Sequence, residues 1–203
     1  IYRFTGSEIS YLYNFDKVFN TKSFKVNLTN TFRFSNQMCE LSNKFIQKND
    51  KQIKKNLKSP KASEDYIEII KCPFNEKDSS TLIELVKRIN AKENSASILL
   101  LNRYKERPRA KYISAGLINR NNESFKHNLK FSSVQSAKGL QADYVIIDDV
   151  NNDLLGFPNK MVDDDVFKML FELNKEIIHA EERRLFYVAL TRAKKKVFLL
   201  HNS

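Results

Sequence analysis

The chain of 203 residues is 41% hydrophobic and 29% charged, with a formal net charge of +11 and a pI near 9.5. That length allows one full-sized domain or two small ones with an ordinary core, and no run approaches the roughly 18 apolar residues of a membrane span. The amino end, IYRFTG, has neither the basic leader nor the apolar core of a signal peptide, and its abrupt start leads us to expect a fragment of a longer cytoplasmic protein. Cys39 and Cys72 lie far apart with no CxxC or Cys/His cluster, so reduced core thiols are expected rather than a zinc site or a disulfide framework. The basic balance suits a polyanionic partner, and a Lys/Asn-rich composition accounts for it equally well.

Apolar periodicity and breakers give alternating helices and strands in chain order. A helix is expected over Ser7 to Phe19, capped by Ser7, then a short strand over Lys25 to Leu28 and a helix from Ser35 to about Lys48 with Ser35 as N-cap. Asn49 to Glu64 is polar, lysine-rich and holds Pro60, and reads as a solvated surface loop. A strand over Ile67 to Lys71 precedes a helix over Ser80 to Ala91, whose Leu82, Leu85, Val86 and Ile89 share one face. Strands follow over Ser97 to Leu101 and, after a weakly patterned stretch beyond Arg107-Pro108, over Leu129 to Val134 and Tyr144 to Ile147. The last of these is a continuous apolar run, as a strand covered on both faces requires. Helices over Asp163 to Lys175 and Glu181 to about Ala193 and a closing strand over Val197 to Leu200 complete the chain. This alternation predicts one α/β domain over residues 1–203, a mostly parallel sheet with helices on both sides, and a mobile loop at Asn119 to Asn128.

Self-contained catalysis is hard to assemble from these residues. His127, His179 and His201 fall at loop or element edges without partners in pattern, and neither GxSxG nor HExxH occurs. GxxxxGK[ST] is also missing, so a nucleotide role would have to be a contribution to a shared site. Three places hold residues suited to such a contribution. Phe32 and Arg33 stand between the expected strand and helix, at what would be the strand's carboxyl edge; an aromatic there can stack on a base while a guanidinium grips phosphate. The alternative is a core phenylalanine beside a solvated arginine.

Ser133, Gln135, Ser136 and the Lys138-Gly139 turn offer hydroxyl, amide, ammonium and backbone donors to phosphate oxygens, although such a turn is common in itself. Asp148 and Asp149, which follow the next strand, read as a strand-end turn rather than as Mg²⁺ ligands. Finally, steps of three and four from Glu181 put Leu185, Val188 and Arg192 on one helix face, with Arg192 in the last turn. Arg192 is then either a solvated cation at a helix carboxyl end or an arginine finger for a transferring phosphoryl group, worth roughly 10³–10⁵ in rate.

In order, IYRFTG, TFRFSNQMCELSNKFI, SSVQSAKGLQADYVII and AEERRLFYVALTRAKKKV resemble motifs III (its tail), IV, V and VI of superfamily 1A DNA helicases of the UvrD/Rep type. The resemblance covers the carboxyl-terminal motor domain and implies a RecA-like, P-loop NTPase-type α/β fold without a Walker A loop of its own. Only residues 105–131 separate LLLNRY from SSVQSAKG, which is similar to the helicase IV branch, where no large accessory domain is inserted. It implies that Phe32 stacks near the adenine and that Arg33 and Arg192 reach the γ-phosphate of an ATP shared with an amino-terminal motor domain, together with Mg²⁺. Gln141, in place of the glutamate that commonly follows KGL, falls on the ATP side. Tyr2, Phe4, Ser133, Gln135 and Lys138 fall on the DNA side, with Phe4 stacking on a base and Gln135 replacing the usual histidine.

Thr5 stands where a further phosphate-sensing arginine is usual. The implied activity is ATP-dependent translocation on single-stranded DNA, 3′ to 5′. The rival expectations are an ATPase that remodels RNA polymerase or another protein, and a non-catalytic DNA-binding module.

Overall fold

The computed structural model describes residues 11, 14–24, 26–50, 52–73, 79–121, 123–124, 128–159 and 175–202. Its helices are α1 (Phe15–Val18), α2 (Asn36–Ile46), α3 (Ser80–Lys92), α4 (Glu106–Ser114) and α5 (Lys175–Leu190). Its strands are β1 (Ile67–Cys72), β2 (Ile98–Asn102), β3 (Glu123–Ser124), β4 (Leu129–Ser133), β5 (Ala142–Ile147) and β6 (Ala193–Asn202). They form one sheet in the order β1-β6-β5-β2-β4-β3, parallel throughout except for the β3–β4 pair.

The period of two along each inner strand divides the core into two halves. Leu99, Leu101, Val145, Ile147, Val197 and Leu199 face one side, where Met38 and Cys39 of α2 and Leu185 and Ala189 of α5 cover them. Ile98, Leu100, Tyr144, Ile146, Phe198 and Leu200 face the other, beneath Leu82, Leu85, Val86 and Ile89 of α3 and Tyr112 of α4. Both sets are apolar because both faces are covered, which is why these strands read as unbroken hydrophobic runs. Each buried Leu, Ile or Val contributes about 1.5–3 kcal/mol relative to exposure.

Helix boundaries follow local chemistry. Ser35 caps α2 by accepting from the Met38 amide at 3.3 Å. Pro108 falls within the first turn of α4, where a missing N–H breaks no helical bond, so the weakly patterned stretch is helical as far as Ser114. Cys39 and Cys72 are buried thiols outside any disulfide, and burial pushes the Cys39 thiol up.

Several expectations are corrected. The described part of the stretch Lys25 to Leu28 is not a strand: Val26 and Leu28 are exposed with no sheet beside them, and only a bridge between Asn30 and Lys58 forms there. In the expected first helix, Asn14 bends the chain ahead of the short α1; Ser7 to Ser10 lie outside the described residues. The stretch Asn119 to Asn128 holds β3, paired antiparallel with β4. α5 begins at Lys175 and ends at Leu190, so Arg192 stands in the turn after the helix. The helix expected up to Lys175 lies outside the described residues, as do Tyr2, Phe4, Thr5 and His127.

Candidate functional site

Thr191 is where the last helix becomes the last strand, and it organises the amino edge of the sheet. It is buried, and its hydroxyl lies 2.9 Å from the Tyr187 carbonyl and 3.2 Å from that of Val188, closing the end of α5 on itself. Such back-bonding to the preceding turn is available to a threonine and not to an apolar residue of the same shape. The turn is short, because the Arg192 carbonyl already accepts from Ala142 at the start of β5.

Two guanidinium groups meet on this threonine. Arg192 donates from Nε to the Val188 carbonyl at 2.9 Å, from Nη2 to Thr191 Oγ1 at 3.1 Å and from Nη1 to the Leu140 carbonyl at 3.5 Å. Arg33 donates from Nη1 to the Thr191 carbonyl at 3.0 Å and from Nε to Gln141 Oε1 at 3.2 Å. Every one of these acceptors is neutral, and among the described residues no carboxylate forms an ion pair with either arginine.

Burial, and then the charge of Arg33, lower the pKa of Arg192, with Tyr187 acting against them. Two like charges placed together in a half-buried site are relieved by an anion, and planar forks suit the oxygens of a phosphate. Beside them Phe32 is 69% exposed, which leaves its ring available for stacking rather than for the core.

The position of this cluster corrects one expectation. Phe32 and Arg33 do not stand at a strand's carboxyl edge, since no strand precedes them among the described residues; Arg33 instead joins Gln141 and Arg192 at the amino edge of β5 and β6. The structure thus brings together Arg33, Gln141 and Arg192, from three distant segments of sequence.

Ser133, Gln135 and Lys138 belong to the crossover that leaves the carboxyl end of β4 and returns to the amino end of β5. Its Val134 and Ala137 are buried in the same core as Leu185 and Ala189 of α5. Ser133 is itself buried: its Oγ donates to Ser136 Oγ at 3.0 Å and accepts from the Ser136 amide at 3.3 Å, so the hydroxyl shapes the turn. Ser136 and Lys138 are on the surface, and Gly139 at φ +93 supplies a backbone conformation that other residues avoid.

With its amide oriented so that nitrogen and oxygen each face a complementary partner, Gln135 donates to the Arg103 carbonyl at 3.2 Å and accepts from Arg103 Nη1. Arg103 in turn holds Glu182 of α5: Nε lies 3.0 Å from Oε1 and 3.2 Å from Oε2, and Nη2 lies 2.8 Å from Oε1. Glu182 Oε2 also accepts from the Asn159 amide at 3.0 Å. Sequence reasoning missed this group. The available signal was an arginine directly after the buried strand ILLLN and a second glutamate in AEERR, which only a fold could join.

Asp148 and Asp149 follow β5 in an irregular segment rather than in the expected turn. Buried Asp148 accepts from the Tyr112 hydroxyl and from the Asp149 amide, while Asp149, at φ 58, accepts from Asn102 Nδ2 at 3.0 Å. Burial first, then the neighbouring Asp149 charge, raises the Asp148 pKa to about 6. The lysine-rich stretch after α2 is fastened to α5, through Asn49 to the Ala180 carbonyl and through Gln52 to Arg184.

Comparison with known proteins agrees with this architecture. Residues 110–203 match the family model of the UvrD-like helicase C-terminal domain. The chain is 32% identical over 205 residues to DNA helicase IV of Escherichia coli K12, covering all of this chain and 28% of the relative. It is also 46% identical over 68 residues to the probable DNA helicase II homolog of Mycoplasma pneumoniae, covering 34% of this chain and 8% of the relative. The chain therefore spans about a quarter or less of these relatives.

In fold it is similar to the C-terminal domain of a possible DNA helicase from Lactobacillus plantarum WCFS1. The TM-score is 0.51 at 15% identity, over 84% of this chain and 87% of that one. No helix among the described residues is long and apolar enough to cross a membrane. Residues 110–203 thus match the UvrD-like helicase C-terminal domain, and the whole chain is similar to DNA helicase IV in sequence and to a helicase C-terminal domain in fold.

Proposed function

We propose that residues 1–203 form the second motor domain of a cytoplasmic, ATP-dependent DNA helicase that moves 3′ to 5′ on single-stranded DNA. The observation that carries this reading is the convergence of Arg33 and Arg192 on Thr191 with no carboxylate paired to either among the described residues. In the whole protein an amino-terminal motor domain would supply the phosphate loop, and ATP would lie between the two. Closure on ATP would move the two guanidiniums from neutral acceptors onto the γ-phosphate, where they offset developing charge. Phe32 would lie against the adenine, with Gln141 holding Arg33 in place.

The donor set here is cationic and amide-rich, which suits phosphate; Mg²⁺ would be held from the other domain and by the phosphates themselves. The DNA strand would run past the turn after β4, with Lys138 on its phosphates, Ser133 and Gln135 setting the turn, and Tyr2 and Phe4 stacking on bases.

The test is turnover by the full-length protein. Arg192→Ala is expected to abolish DNA-stimulated hydrolysis while leaving nucleotide binding largely intact, and unchanged turnover would end the assignment. The isolated chain is expected to hydrolyse negligible ATP and to bind single-stranded DNA weakly, with steep salt dependence.

A further inference from the structure

We infer that Arg103 is a positioning residue that couples the DNA-facing turn to the phosphate-facing arginines, an inference that rests on the motor-domain reading above. Two struts run side by side on one face of the sheet, from its carboxyl edge to its amino edge. One is the crossover from Ser133 to Gln141; the other is the end of α5 from Glu182 to Leu190 with the turn that holds Arg192. At the amino edge they are joined by Arg192 on the Leu140 carbonyl and by Arg33, which holds both Gln141 and the Thr191 carbonyl. At the carboxyl edge they are joined by Arg103, whose one guanidinium holds Glu182 of the helix and Gln135 of the crossover at once.

A shift of the Gln135 turn on DNA therefore displaces Arg103 and, through it, Glu182. A helix is stiff along its axis, so the displacement is carried about 12 Å to Leu190, at about 1.5 Å per residue, and Arg192 stands in the turn just beyond it.

Stability alone does not account for this arrangement. The pair is nearly buried, with side chains 16% and 9% exposed, and apolar residues of similar volume commonly serve stability as well as a buried ion pair does. What an apolar pair lacks is the side-chain connection to Gln135, which would then hold only the backbone carbonyl of residue 103. Lysine lacks it too, because a single ammonium cannot offer the planar fork that reaches a carboxylate on one side and an amide on the other.

The experiment uses the full-length protein and measures ATP hydrolysis with and without oligothymidylate, alongside thermal unfolding. For Arg103→Met/Glu182→Met we expect an unchanged melting temperature, DNA-free hydrolysis within about twofold of wild type, and DNA stimulation reduced about tenfold or more. Arg103→Lys, which retains an ion pair, is expected to lose stimulation in the same way, and it decides the matter alone if the double variant does not fold. Stimulation retained by Arg103→Lys, or DNA-free and DNA-stimulated rates falling in equal proportion, would overturn the coupling role. A wild-type protein without DNA-stimulated hydrolysis would instead overturn the motor reading, and this inference with it.

Discussion

At the carboxyl edge of the sheet Arg103 has its charge matched by Glu182, whereas at the amino edge Arg33 and Arg192 share one threonine and rest on neutral oxygens. Both edges bury cationic side chains, yet only the first is electrostatically closed. A matched cation is satisfied by the fold and acts on structure or position. Two neighbouring cations with only carbonyl, hydroxyl and amide partners leave strong donors available to an anion brought from outside. On the proposed function, the contrast separates an edge that holds its own elements in place from an edge that receives a phosphate.

Substitutions at the two edges should therefore fail in different ways. The largest effect is expected at the open edge: Arg33→Ala in the full-length protein should lower turnover by about 10³ or more with little change in melting temperature. Combined with Arg192→Ala it should be scarcely worse, because groups that act as a unit are not additive. Steady-state hydrolysis and thermal unfolding together check both points.

At the closed edge, removing one partner of the ion pair alone should appear in stability as well. Glu182→Ala strands the Arg103 charge in a nearly buried site and is expected to cost about 3–5 kcal/mol in denaturant unfolding. A cost near zero would show that the pair is exposed to water in solution.

Thr191→Val tests the hub between the two arginines. It preserves shape and removes the hydroxyl bonded to Tyr187, Val188 and Arg192. Turnover should fall about 10–100-fold, equivalent to about 1.4–2.7 kcal/mol, as expected for a misaimed but intact guanidinium.

The smallest effect concerns Asp148. Its folded pKa of about 6 lies above the ordinary aspartate value of 3.8, so its contribution to stability is complete below the unfolded value and is lost as pH rises through about 6. Asp149→Asn removes the neighbouring charge at a position, φ 58, that asparagine tolerates. The Asp148 titration should then move down, followed by carboxyl NMR, with a gain under about 1 kcal/mol at neutral pH.

Much of the architecture was legible because burial on two faces leaves a plain signature. The runs ILLLN and ADYVII and the spacing of Leu82, Leu85, Val86 and Ile89 each admit one simple reading. Lys25 to Leu28 misled for the opposite reason: alternating Val26 and Leu28 imitate a half-buried strand, but pattern cannot report whether a neighbouring strand is present.

Within the site, Arg33, Gln141 and Arg192 were identified through the quoted motifs, and Thr191 was expected only to steady the turn. Which edge they occupy was not legible, because it depends on parallel pairing of β5 with β6 and on the crossover's direction. Arg103 and Glu182 escaped notice because a long-range ion pair has no periodicity, and each residue looks ordinary in its own segment.

The central claim is that the open edge receives the terminal phosphate of ATP. It is tested most directly by a structure of the full-length protein with single-stranded DNA and a non-hydrolysable ATP analogue. The account predicts that the Arg33 and Arg192 guanidiniums both leave Thr191 and lie about 2.7–3.0 Å from γ-phosphate oxygens. A closed, nucleotide-bound structure in which both remain on Thr191 and the phosphate is held by other cations would contradict it.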